Sequence, residues 1–243
     1  MRTTRCFIDA PLVPGARVRL PEAAAVHLTR VLRLREGDAC VLFNGDGHDY
    51  AATLAEVGKR EVVADIRSCA PVDNESPLRI VLLQGVARGE KMDLILQKAT
   101  ELGVAAILPV NSERSEVKLD AERTQKRVAH WRSVITSACE QSGRAVLPSL
   151  AAPRPLAEAA QSVEAPMKLI LDPLAMHGVA ALDAPAPVSL AIAIGPEGGW
   201  SSRDREILGA AGFSGLRLGP RVLRTETAGL AAIAALQARF GDL

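Results

Sequence analysis

Two loops hold the residues whose types and spacing are best suited to chemistry. The first is Ile194-Gly195-Pro196-Glu197-Gly198-Gly199-Trp200-Ser201, which follows the apolar run 188–194. Such a run reads as a buried strand. Three glycines after it let backbone N–H and C=O groups approach a ligand closely, and in open α/β sheets ligands bind beyond the carboxyl ends of the strands. Ser201 is placed to cap the next helix, with Asp204 three residues on as its partner in a capping box. The second loop is Leu216-Arg217-Leu218-Gly219-Pro220-Arg221-Val222-Leu223-Arg224-Thr225-Glu226-Thr227-Ala228. A short strand runs into Gly219-Pro220 and then two arginines. Thr225 is predicted to cap the last helix, with Glu226 in its first turn, where the helix dipole favours an anion. No Gly-Lys-Ser/Thr follows the first loop, so it is not a Walker A motif. Gln84-Gly85-Val86-Ala87-Arg88-Gly89 lacks the dinucleotide spacing as well. P-loop and nicotinamide chemistry are therefore disfavoured. The bland alternative for the glycine loop is a tight structural turn.

The chain that must position these loops has 243 residues, 48% hydrophobic and 23% charged, as in an ordinary soluble globular protein. Aromatic residues are 3%, too few for a large stacking platform. The four cysteines, Cys6, Cys40, Cys69 and Cys139, have neither zinc-knuckle nor dithiol spacing, and read as isolated thiols in a reducing cytosol. No apolar run reaches membrane-spanning length, the N-terminus has no signal-peptide pattern, and the expectation is a cytoplasmic protein. No metal-ligand cluster is evident. Residues 70–77, bounded by Pro71 and Pro77, read as a linker. Before it, short strands at 17–20, 40–43, 50–57 and 61–66, a helix over 22–32 and a hairpin turn at Gly58-Lys59-Arg60 predict a small β-barrel. After it, strands at 79–86, 104–110, 168–171 and 188–194 alternate with helices at 91–102 and 120–142. That alternation predicts a parallel sheet covered on both faces. Gly103 is placed to end the first of these helices, and Val128, Trp131, Ile135 and Ala138 share one face of the second. Residues 151–165 read as a surface connection with a short helix. The alanine-rich last helix fits core packing and a subunit interface equally.

The two loops together resemble the trefoil-knotted RNA methyltransferases of the SPOUT superfamily, and more closely the RsmE family. Supporting segments are His27-Leu28-Thr29-Arg30-Val31-Leu32-Arg33-Leu34-Arg35-Glu36-Gly37-Asp38, Lys91-Met92-Asp93-Leu94-Ile95-Leu96-Gln97-Lys98-Ala99-Thr100-Glu101-Leu102-Gly103 and Glu140-Gln141-Ser142-Gly143-Arg144. The resemblance spans nearly the whole chain in order. It implies an α/β protein with an N-terminal PUA-like RNA-binding β-barrel over 1–72. A trefoil-knotted SPOUT methyltransferase domain follows over 73–243. It further implies a cytoplasmic homodimer that uses S-adenosyl-L-methionine to methylate N3 of uridine 1498 in 16S ribosomal RNA of the small subunit.

That chemistry assigns tasks. Leu171, Gly195, Glu197, Gly198, Gly199, Leu218, Gly219, Pro220, Leu223 and Thr225 are expected around the cofactor, with Asp172 and Pro173 as a further wall. Uracil N3 is a poor nucleophile until its proton leaves, and a cation stabilises the anion that forms. Arg224 is the candidate for that role, and Glu226 or Glu197 for the proton acceptor. An ion pair between Arg224 and Glu226 is the structural alternative. For RNA the candidates are Arg17, Arg19, Arg30, Arg33, Arg35, Arg114, Arg144 and Arg221. Lys118, Arg123, Lys126, Arg127 and Arg132 lie around the long helix, where solvated charges balanced by nearby acids are an equal reading. His27, His48, His130 and His177 are dispersed and read as structural or surface residues. The net charge is only +1, but residues 17–35 carry five arginines against one acid, Glu22. Such patches supply phosphate contacts without sequence information. Two alternatives stay open: a SPOUT enzyme acting on transfer RNA, and a non-catalytic RNA-binding assembly factor.

Overall fold

The computed structural model describes residues 4–58, 61–115, 121–184 and 188–243. The chain divides into two units, Met1–Glu75 with Thr136–Leu147, and Ser76–Ile135 with Pro148–Leu243.

The first unit contains β1 (Arg5–Phe7), β2 (Arg17–Arg19), α1 (Glu22–Val26), β3 (Ala39–Phe43), β4 (His48–Val57) and β5 (Val62–Pro71). They form one sheet in the order β1-β3-β4-β5-β2, parallel between β1 and β3 and antiparallel elsewhere. Alternation sets its inner face. Tyr50, Ala52 and Leu54 of β4 point the same way and are buried with Leu42, Ala64, Ile66 and Leu28. The tip 44–47 turns through Gly45 and Gly47, both at positive φ, and the Asp46 carboxylate accepts from the Tyr50 hydroxyl at 2.7 Å.

Two expectations change here. The helix expected over 22–32 is α-helical only to Val26 and continues as a π turn over His27–Val31. The Thr29 hydroxyl donates to the Ala25 carbonyl at 2.7 Å, competing locally with the regular helical ladder. The residues expected to begin a linker are instead the end of β5, which pairs to Pro71 opposite His48. Proline lacks an N–H but is tolerated at a strand end. The hairpin residues Lys59 and Arg60 lie outside the described residues, as do Lys118 and Asp120.

The last turns of α3 (Ala121–Ser142) belong to this unit. Glu140 accepts from the Phe7 N–H at 3.0 Å. Arg144 is 4% exposed and grips Glu75 with Nε at 2.9 Å and Nη2 at 2.5 Å. The RNA role expected for Arg144 is therefore corrected: its guanidinium is buried in an ion pair, out of reach of a phosphate.

The second unit adds β6 (Arg79–Gly85), α2 (Glu90–Glu101), β7 (Ala106–Asn111), β8 (Ser149–Leu150), β9 (Arg154–Pro155), α4 (Leu156–Ser162), β10 (Met167–Leu171), β11 (Ser189–Ile194), α5 (Ser202–Ala210), β12 (Ser214–Leu216) and α6 (Thr225–Phe240). Every strand pairing is parallel, in the order β12-β10-β11-β6-β7-β8, with β9 also on β7. The fold is thus α/β, as the alternation of elements predicts. Met92, Ile95, Leu96 and Ala99 of α2 are fully buried, at the expected helical spacing. Gly103 ends that helix at φ +81°. The Gln237 side chain of α6 donates to the Leu102 carbonyl at 2.8 Å, tying α6 to the end of α2. The short helix expected within 151–165 forms as α4, but one face of it is core rather than surface. Leu156, Ala159, Ala160 and Val163 follow a helical i, i+3, i+4, i+7 pattern and are buried against residues of β7, β10 and β11.

Among the described residues, no helix is long and apolar enough to cross a membrane, and no His/Cys/Asp/Glu cluster could hold a metal ion.

Candidate active site

The strand order places β12, β10 and β11 side by side, so their carboxyl-end loops converge. A cavity of about 460 Å³ opens there, lined by residues of all three loops and the start of α6. This is the position at which open α/β sheets bind ligands.

The glycine loop is a tight turn with a purpose. The Gly199 N–H donates to the Pro196 carbonyl at 2.8 Å, and Gly199 takes φ +65°. A Cβ on Gly195 would sit 3.1–3.2 Å from Gly199 and Trp200 main-chain atoms. A Cβ on Gly85, at the end of β6, would lie 2.5 Å from Pro196. The expected capping box forms: Ser201 accepts from the Asp204 N–H and Asp204 from the Ser201 N–H, both at 3.0 Å.

The cap of α6 differs from expectation. Arg224 is the N-cap residue, with extended backbone and no side-chain cap bond. Thr225 is already helical and nearly buried. Its hydroxyl donates to the Gly195 carbonyl at 2.5 Å and accepts from the Gln84 amide at 3.2 Å. Thr225 therefore fastens the second loop to the first, rather than capping its own helix.

The charges sort into held and free. Glu197 accepts from the Arg88 N–H at 3.1 Å and from Lys91 Nζ at 3.2 Å. Burial pushes its pKa up, but the amides of Arg88 and Glu197 and the Lys91 ammonium outweigh this and hold it below the usual carboxylate range. Among the candidate bases Glu197 is thus a loop-anchoring anion, less basic than an ordinary carboxylate. Asp172 behaves alike. Burial raises its pKa, yet the Leu174 N–H and the Arg205 guanidinium, 2.8 Å away, bring it below the ordinary range. Arg205 also donates to the Trp200 carbonyl at 2.9 Å. Two buried polar atoms on the lining have no partner in the protein, Trp200 Nε1 and Glu226 Oε2. Among the described residues, Arg224 makes no ion pair with Glu226. Arg221 and Arg224 are exposed, and Arg114 donates to the Gly198 carbonyl at 2.9 Å.

Of the residues expected at the site, the cavity gathers Leu171, Gly195, Glu197, Gly199, Leu218, Gly219, Leu223, Thr225, Arg224 and Glu226, with Arg114 and Arg221. Gly198 and Pro220 do not line it. Lys91, Trp200 and Arg205 line it without having been singled out for that role. Lys91 stands 106 residues from Glu197, so no local pattern marks it. None of the histidines lines it, and His130 instead bonds Asp93 at 2.8 Å.

In the first unit the basic run is uneven. Arg17 pairs with Asp65 at 3.0 Å and Glu56 at 3.2 Å, and Arg19 with Glu61 at 3.6 Å, so their charges are largely offset. Arg30, Arg33 and Arg35 are exposed with no ion pair among the described residues. Arg33 holds φ +59°, the one non-glycine residue at positive φ among those described. On α3, Lys126 is paired with Glu122 at 2.6 Å.

Residues 74–237 match the family model described as RNA methyltransferase domain, and residues 20–67 the one described as RNA methyltransferase PUA domain. Ribosomal RNA small subunit methyltransferase E of Buchnera aphidicola is 32% identical over 100% of this chain and 98% of its own. The protein of the same name from Bacillus subtilis is 32% identical over 86% and 85%. A methyltransferase structure from Legionella pneumophila, in complex with its bound cofactor SAM, superposes with TM-score 0.97 at 40% identity over the full length of both chains. A ribosomal RNA small subunit methyltransferase E from Neisseria gonorrhoeae, bound to S-adenosyl methionine, gives 0.92 at 39%, again over both full lengths.

Proposed function

Since the chain belongs to the RNA methyltransferase family of ribosomal RNA small subunit methyltransferase E, we propose that it methylates N3 of uridine 1498 in 16S ribosomal RNA, using S-adenosylmethionine. The carrying observation is the cavity at the carboxyl ends of β10, β11 and β12, with an unpartnered buried carboxylate oxygen on Glu226 and an exposed, unpaired Arg224 at the same opening. In the same reading, residues 1–72 form the PUA-like RNA-binding barrel and residues 73–243 a trefoil-knotted domain. Two copies pair in the cytoplasm.

The residues present fit the cofactor. Leu171, Ile194, Leu218 and Leu223 provide an apolar slot, and Gly195, Gly199 and Gly219, having no side chains, let the adenosyl portion come close to the main chain. The volume lies in the range of about 300–1,000 Å³ usual for small-molecule pockets. When bound, S-adenosylmethionine supplies an electrophilic methyl carbon on a sulfonium that departs as a neutral thioether.

The protein's own part is positional and electrostatic. The N3 proton must leave before the ring nitrogen can attack, and Glu226 Oε2 is the acceptor for it. Glu197 is the poorer candidate because its charge is already held by Lys91 and two amides. Loss of that proton spreads negative charge over the two uracil carbonyl oxygens, and the Arg224 guanidinium offsets it. Apolar walls keep water from the methyl group, so N3 is the nucleophile in reach. Arg114 and Arg221, on the lining of the same cavity, contact the RNA backbone, and Arg30, Arg33 and Arg35 contribute from the first unit.

The test is transfer of labelled methyl to small subunits from a strain that lacks the modification, followed by mass mapping of the RNA. Label at N3 of uridine 1498 is the expected outcome. Arg224→Ala should abolish transfer while cofactor affinity by calorimetry is kept. Label on transfer RNA instead, or none anywhere with cofactor bound, would sink the proposal.

A further inference from the structure

The first turn of α5 does more than start a helix. Asp204 is 3% exposed, and its two carboxylate oxygens go to different places. Oδ2 closes the capping box with the Ser201 N–H, at the end of the glycine loop. Oδ1 accepts from the Glu113 N–H at 3.2 Å, in the loop that follows β7. That loop is itself a compact β-turn: the Ser115 N–H donates to the Ser112 carbonyl at 3.1 Å, and the Ser112 N–H to the Ser115 hydroxyl at 2.9 Å. The next residue, Arg114, lines the cavity and donates to the Gly198 carbonyl. A Cβ on Gly198 would meet the Arg114 Cβ at 3.0 Å, so the arginine stem lies flat on the glycine loop. A buried carboxylate with both oxygens engaged is costly to disturb and holds its partners rigidly. Residues 112–115, where Arg114 stands, form a turn and belong to no helix or strand.

We infer that Asp204 is a positioning residue for RNA, acting through the Glu113 N–H to hold Arg114 at the mouth of the cavity. This rests on the reading of Arg114 as a phosphate contact. Arg205 makes the complementary tie on the other side, through Asp172 to the loop after β10. One turn of α5 therefore braces two cavity walls, and on the Asp204 side Arg114 makes no ion pair among the described residues.

The hydrogen bond can be removed from either end. Asp204→Asn leaves one acceptor oxygen for the two N–H donors of Ser201 and Glu113, so the two ties cannot both be kept. Glu113→Pro deletes the donor and sets the ring Cδ against Asp204 Oδ1, so the tie is broken, with Glu113→Gln as the control for the lost carboxylate. Glu113 is at the second position of its turn, where proline is favoured. Each variant, Arg114→Ala and the two combinations are assayed for methyl transfer to unmodified small subunits at 50 and 200 mM salt. Cofactor affinity is measured by calorimetry. One lost phosphate contact makes KM rise about 3.5-fold less over that salt interval. Arg114→Ala, Asp204→Asn and Glu113→Pro should all show this flattening with higher KM, and any change in cofactor affinity should be too small to account for it. In the Arg114→Ala background the other two should add nothing. Should Arg114→Ala flatten the slope while Asp204→Asn and Glu113→Pro keep the wild-type slope, or should the effects multiply, the inference is overturned and the phosphate contact stands. A wild-type slope for Arg114→Ala overturns the phosphate reading itself. If Asp204→Asn does not fold, Glu113→Pro decides alone.

Discussion

Replacing Thr225 by Val removes a hydroxyl and little else, because the side chain is 7% exposed and the two residues have nearly the same shape. The hydroxyl donates to the Gly195 carbonyl at 2.5 Å and receives the Gln84 amide at 3.2 Å. Each bond is worth about 0.5–1.5 kcal/mol net, and a carbonyl left unsatisfied adds to the loss, so about 2 kcal/mol is at stake. In a chain of this size that lowers Tm by about 4–8 °C. The bond also fixes Gly195, which lines the cavity. If somewhat over half of the loss is felt by the bound state, cofactor affinity falls about tenfold, since 1.4 kcal/mol is one decade. Thermal melts and calorimetry of Thr225→Val and Thr225→Ser test this, and the serine variant should keep most of both properties. A drop in Tm with unchanged cofactor affinity would mean that Thr225 serves only its own helix. Unchanged Tm would refute the fastening altogether.

Gly85→Ala places a methyl 2.5 Å from Pro196 and should cost about 1–3 kcal/mol, with weaker cofactor binding by calorimetry as the glycine loop is pushed outward. Arg144→Ala leaves Glu75 without its bidentate partner, and should cost about 3 kcal/mol in denaturant melts while leaving KM for small subunits unaltered. A rise in KM at full stability would return Arg144 to the RNA surface. The Glu197 carboxylate is depressed in the folded protein, so its stabilising effect is present above the unfolded value and lost as pH falls through the folded one. Lys91→Met should accordingly be less stable than wild type at neutral pH, with the difference closing as the pH drops below about 4.5. A difference that stays constant across that range would dismiss the ion pair as its source.

Much of the architecture is written locally. Continuous apolar runs at 79–86 and 188–194 are strands whatever surrounds them, and the i, i+3, i+4 spacing in α2 makes a helix with one buried face. The two loops are contiguous stretches, the first rich in glycine and the second turning at Gly219-Pro220. Their residues are legible because backbone approach and turn geometry depend on the types present, and the Ser201–Asp204 box needs only three residues of spacing. The elements misread are those where neighbours overrule the local pattern. Residues 156–163 are alanine-rich and look like surface, but small residues are what a helix against the sheet requires. Pro71 looks like a break, yet a strand end opposite His48 accommodates it.

What no local pattern carries is which distant groups share a charge or a proton. Arg144, Arg17 and Glu197 each look free in the chain, and each is held by an acid or a cation remote in sequence, Glu75, Asp65 and Lys91. Arg224 and Glu226, two residues apart, look like an ion pair and are not one. The pairing of β2 with β5 sets Arg17 against Asp65, and the order β12-β10-β11-β6 decides which loop ends converge around Glu197 and Arg224. The sequence by itself determined the strands, the helices and the two loops, through periodicity and backbone freedom that need only near neighbours. The tertiary structure decided which of their charges are spent on holding the cavity and which remain free to act in it, because Coulomb and hydrogen-bond partners are chosen by distance in space.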